Sequence, residues 1–126
     1  MSSLQGSHSL LLREVTVMIK GILVRPGNAP EVIEFNEGYK ELQRLVEGNF
    51  EMPALFDDVD VVLNEEGKFN GSDPNRLLYY KGQLIDILFG NILIVDANEE
   101  GETVSLSEDK INKYMKIFRN EAIFLA

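Results

Sequence analysis

The chain has 126 residues, 44% of them hydrophobic and 26% charged, and a formal net charge of −9 from 21 acidic and 12 basic side chains. That balance suits one folded domain, and the charge opposes sequence-independent binding to the phosphates of DNA or RNA. With no cysteine and a single histidine, His8, disulfide frameworks, thiolate metal sites and cysteine nucleophiles are excluded.

The opening stretch, MSSLQGSHSLLLREVTV, lacks the charged start and cleavage site of a secretory signal. Residues 1–17 read as a flexible leader or the remnant of an expression tag, and residues 18–126 as a single compact domain. Val15 to Val24 (VTVMIKGILV) is rich in aliphatic and β-branched residues and reads as a central strand ending at Pro26-Gly27. Gly27-Asn28 supplies a turn, and Glu31 to Phe35 returns as the second arm of a hairpin.

Asn36 stands where a helix N-cap belongs, with Glu37 in the first turn; Tyr39, Leu42, Leu45 and Val46 share one helical face, and Gly48 closes the helix. The pattern predicts a helix over about 36–48. Phe50 and Met52 then alternate with polar residues, as do Val59, Val61 and Leu63. NGSDPN at Asn70 to Asn75 is turn-rich, and Pro74 suits the first position of a short helical turn near 74–80. QLIDILFGNILIVDA reads as strand at the centre of a sheet, bent or divided at Gly90. Its apolar core, Leu84 to Val95, is interrupted by Asp86, Gly90 and Asn91 and is too short to cross a bilayer, so no membrane partner is expected. Ser107 caps a second helix over about 107–119, with Ile111, Tyr114, Met115 and Phe118 as its core stripe. The tail AIFLA predicts an edge strand or a contact with another subunit, which makes a homo-oligomer through the C-terminus an expectation. Two amphipathic helices and a mostly antiparallel sheet define the α+β class.

Asn64 to Gly67 and Asn98 to Gly101 both read NEEG. Asparagine and glutamate are calcium-type ligands, but adjacent side chains in a turn diverge and the spacing of a calcium loop is missing. Both stretches read as turns in which Asn and Gly reverse a strand. No phosphate-binding glycine motif is present.

Carboxylates remain. Asp57, Asp58 and Asp60 cluster between apolar segments and could do acid–base work, or could form a solvated loop. Asp86 lies inside an apolar strand and needs a partner, for which Arg76 and Lys20 are the candidates. Asn75 and Arg76, after Pro74 at an expected helix start, could hold a small anion. Tyr79, Tyr80, Phe69 and Phe89 could stack a base or pack a core. No catalytic residue, metal ligand or cofactor is assigned.

Three segments together carry a resemblance: MIKGILVRPGNAPEVIEF at Met18 to Phe35, VVLNEEGKFNGSDPNR at Val61 to Arg76, and LIDILFGNILIVDANEEGETVSLSEDKINKYMKIF at Leu84 to Phe118. They resemble a family of short proteins filed as domain of unknown function 3846, found in bacteriophages, mobile elements and their hosts. The resemblance implies a setting in the bacterial cytoplasm and no mechanism. If Asn64, Gly67, Asn75, Arg76 and Asp86 recur in its pattern, they mark where a site is to be sought. The leading expectation is a non-enzymatic binding or interaction module whose partner is a host protein or a small anionic ligand held by Asn64, Asn75, Arg76 and Asp86. A carboxylate-dependent hydrolase or metal enzyme and an acidic DNA mimic are the alternatives.

Overall fold

The computed structural model describes residues 17–126. The expected leader with His8, apart from Val17, lies outside the described residues, and so do Val15 and Thr16 of the expected first strand. In chain order the elements are β1 (Met18–Val24), β2 (Glu31–Asn36), α1 (Tyr39–Val46), β3 (Phe50–Glu51), β4 (Asp60–Asn64), β5 (Pro74–Tyr80), β6 (Gln83–Phe89), β7 (Ile92–Ala97), β8 (Thr103–Val104), α2 (Glu108–Phe118) and β9 (Ala122–Leu125). The α+β class stands, and the sheets are mostly antiparallel.

The larger sheet runs β2-β1-β7-β4-β3, with β8 paired to the end of β7. Its central strands are apolar on both faces because both faces are covered. Ile92 to Val95 of β7 have no exposed surface at all. On one side, Ile19, Leu23, Val62, Leu93 and Val95 meet Leu42, Leu45 and Val46 of α1. On the other, Ile22, Val61, Leu63, Ile92 and Ile94 meet Tyr114 and Phe118 of α2 and Leu78, Leu88 and Ile123 of the smaller sheet. That smaller sheet has the order β6-β5-β9, with β9 parallel to β5 at one edge, in keeping with the edge strand expected of the tail. Gly21 marks how tightly β1 lies in the first sheet, since a Cβ there would come within 2.8 Å of the Ile94 carbonyl oxygen.

Several boundaries differ from the sequence expectation. Helix α1 starts at Tyr39 rather than Asn36, because Asn36 pairs with Met18 as the last residue of β2. Its C-terminal reversal falls on Glu47 in the left-handed region, and Tyr39 is largely exposed beside Phe50. Residues 74–80 form no helical turn. They are strand β5, because Arg76 and Leu78 turn inward while Leu77 and Tyr79 turn outward, and Pro74 as the first residue gives up no ladder donor. The strand returns through Lys81 and Gly82, both at positive φ, the two-residue reversal that matches strand twist. Gly90, at φ 78°, divides the long apolar run: β6 belongs to the smaller sheet and β7 to the larger. Helix α2 follows the expectation, with Ser107 Oγ accepting the Lys110 N–H at 3.2 Å.

Candidate functional site

The four residues marked in the sequence divide into two groups. Three of them hold backbone carbonyls in place. Asn64, at the end of β4, donates Nδ2–H to the carbonyls of Val46 and Glu47, both at 3.1 Å. Those are orphan carbonyls at the C-terminus of α1, so a side chain from a distant strand caps the helix. Asn91 adds a third donation, to the Leu45 carbonyl at 3.0 Å. Gly48 is required at this junction: its φ is 154°, and a Cβ would lie 2.7 Å from Asn64 Nδ2. The Asn64 Oδ1 meanwhile accepts the Glu66 N–H at 2.8 Å, which starts the first NEEG turn.

Arg76 does for α2 what Asn64 does for α1. It is 4% exposed, and all five of its N–H groups are engaged. Nε and Nη2 donate to the Phe118 carbonyl at the end of α2, Nη2 also to Asn28, and Nη1 to the carbonyl and side-chain oxygens of Asn75. A cation at the negative end of a helix, fully hydrogen-bonded, is a stabilising arrangement. Burial holds its pKa below the ordinary arginine value, with Glu121 opposing. Asn75 donates to the carbonyls of Val24 at 2.9 Å and Gly90 at 2.7 Å, so it fastens the smaller sheet to β1 of the larger. The expected anion at a helix start has no helix to rest on. The hollow beside Arg76, bordered by Gly27, Asn28, Ala29, Arg119 and Glu121, measures about 250 Å³.

Asp86 is neither sealed in the core nor paired with Arg76 or Lys20. Its side chain is 41% exposed, and Lys68 Nζ donates to it at 2.5 Å. The Leu77 N–H goes to the Glu121 carbonyl just before β9, so Leu77 and its partner Ile87 form a pair without mutual hydrogen bonds. The Ile87 N–H therefore points to the open edge of β6, where Asp86 Oδ1 accepts it at 2.8 Å. The carboxylate and its lysine guard that edge against pairing with another chain.

Asn64 and Asp86 come together as walls of a cavity of about 350 Å³ between the two sheets. Pro53, Leu55, Leu63, Leu88 and Phe89 make its apolar lining, and Glu51, Glu65 and Lys68 stand on its border. Phe69, on the turn after the first NEEG, borders it too and is 89% exposed. Gly67 sets the width: its N–H bonds the Asn64 carbonyl, and a Cβ would approach the Phe89 carbonyl oxygen to 3.0 Å. The two NEEG stretches thus differ. Gly101 takes a positive φ in the reversal between β7 and β8, whereas Gly67 is needed for close approach. Glu51, Pro53 and Lys68 carry no signal in the sequence, since only the pairing of β3 with β4 and the path of the 65–71 turn gather them here.

The aspartate cluster is distributed. Asp58 accepts from Lys113 at 2.9 Å and from the Tyr114 hydroxyl, and these bonds, the tyrosine's first, hold its carboxyl below the usual range. Burial above all, with Asp58 beside it, pushes the Tyr114 hydroxyl well up. An ionised carboxylate with both oxygens engaged is a weak base, and it borders a different hollow, shared with Asp57, from the one Asp86 lines. Among the described residues no three His, Cys, Asp or Glu side chains group closely enough to hold a metal ion, and no helix is long and apolar enough to cross a membrane.

Comparison with known proteins agrees with the resemblance drawn from the sequence. The family model described as domain of unknown function (DUF3846) matches residues 19–119, and the chain belongs to that family. Curated proteins and solved structures gave no match.

Proposed function

We propose that this DUF3846 protein is a binding module that acts by holding a small molecule in the cavity between its two sheets. The observation that carries the reading is the cavity itself. An apolar lining with a few polar groups at the rim, at about 350 Å³, has the size and character of a small-ligand site. One wall is held in place: Asn64 donates to two carbonyls at the end of α1, so that side of the cavity is preorganised. The family setting supports action in a bacterial host on behalf of a phage or mobile element.

A screen by thermal shift tests this. Compounds that raise the melting temperature of the native chain should lose that effect in Pro53→Trp, which places an indole in the cavity from a loop that forms no strand. Hits that act equally on both proteins, or a screen without hits, would contradict the reading. An anionic ligand beside Arg76 is the weaker reading, because that arginine borders its hollow with every donor engaged and the Glu121 carboxylate borders the same hollow.

A second reading concerns self-association. By register, Leu77, Tyr79, Leu84, Ile87, Ala122 and Phe124 share the outer face of the smaller sheet, and Tyr79 and Phe124 stack at 5.2 Å. Phe124 is 73% exposed and Leu84 50%. None of these side chains is charged, so a second copy can approach here without the repulsion that a net charge of −9 imposes elsewhere. The native chain should then show a concentration-dependent mass by sedimentation equilibrium, and Phe124→Asp should remain monomeric. A native chain monomeric at all concentrations would rule the association out.

A further inference from the structure

We infer, resting on the cavity's role as a small-ligand site, that its ligand is an amphiphilic cation: a planar or compact apolar body carrying one protonated amine. Three observations converge on that class.

First, the apolar lining of Pro53, Leu55, Leu63, Leu88 and Phe89 offers no hydrogen-bond donors from side chains, so the body of the ligand is hydrocarbon or aromatic. The buried polar wall residue, Asn64, has its donors and acceptor engaged within the protein and asks nothing of a ligand. Second, the charge on the rim is not balanced. Lys68 and Asp86 neutralise one another at 2.5 Å, which leaves Glu51 and Glu65, and among the described residues neither meets a cation within ion-pair distance. An anion entering here meets two unpaired carboxylates; a cation meets two partners. Third, Phe69 stands at the rim with 89% of its surface in water. An aromatic face in that position attracts an ammonium group and gains burial when it covers a bound ligand. The cavity volume limits the ligand to a small molecule rather than a protein surface.

Three probes with the same ring system separate the contributions: 2-naphthylmethylamine, 2-naphthylmethanol and 2-naphthoate, each titrated by calorimetry into the full chain at pH 7. The amine should bind about two- to fivefold tighter than the alcohol, the order of one partly exposed ion pair, and the carboxylate weakest. The amine's advantage should shrink with added salt and vanish in Glu51→Gln/Glu65→Gln, two exposed positions whose replacement leaves the core untouched. Phe69→Ala should weaken the amine more than the alcohol. Equal affinities for amine and alcohol, or preference for the carboxylate, would overturn the cation inference while leaving the cavity as a binding site. Failure of all three probes to bind would overturn both.

Discussion

Arg76 shows how one side chain can unite three parts of the molecule. Its guanidinium joins β5, the Phe118 carbonyl that ends α2, and the Asn28 carbonyl in the β1–β2 turn. Methionine at this position would keep much of the volume and leave those carbonyls without donors in a buried site. Arg76→Met should therefore lower stability by about 2–4 kcal/mol in urea denaturation. Arg76→Lys should recover only part of that loss, because an ammonium has three donors and no fork. A loss below about 0.5 kcal/mol in the methionine variant would show that the five bonds contribute little. The sequence marks Asn64, Asn75 and Arg76 as unusual but offers no means of telling a ligand contact from a helix cap. A polar residue in an apolar setting signals only that a partner exists. Each of the three donates to backbone carbonyls 15–51 residues away in the chain, and Arg76 also binds its neighbour Asn75.

At the scale of elements, the hairpin, both helices and the apolar strands are legible because each rests on local pattern: alternation, capping serine, a helical stripe. Residues 74–80 depart from their expected helical turn for a physical reason. Pro is favoured at the first position of a helix and tolerated at the first position of a strand, so Pro74 decides nothing alone. The segment becomes a strand because β6 and β9 flank it. Helix α2 is fastened to the loop before β4 by Asp58, which binds both Lys113 and Tyr114. The folded chain holds the Asp58 carboxyl below its unfolded value, so this tie stabilises the fold above about pH 4 and is lost as pH falls through the folded value. Tyr114 has the opposite sign: its hydroxyl is pushed up, so its contribution is complete below about pH 10 and is lost at more alkaline pH. Unfolding midpoints measured from pH 2 to 7 should fall less steeply for Asp58→Asn than for the native chain. Parallel curves would show that the Asp58 tie has no part in acid stability.

Across the whole molecule, the functional feature is a space rather than a motif. The cavity lies where the end of β4, the 65–71 turn and β6 border one another, and no stretch of sequence contains it. Asn64 and Asp86 are legible as members of the region; Glu51, Pro53 and Lys68 are not, since their only link is proximity after folding. The same separation explains why acidic charge opposes non-specific nucleic-acid binding yet says nothing about a small ligand: net charge acts over the surface, and the cavity has its own local balance. The most direct test of the cavity as a binding site is amide-shift mapping of 15N-labelled protein during titration with uncharged 2-naphthylmethanol. Saturable shifts confined to Glu51, Leu55, Asn64, Gly67, Phe69 and Ile87 are the predicted result. Shifts centred on Phe124 and Asp58 instead, or none at all, would contradict it.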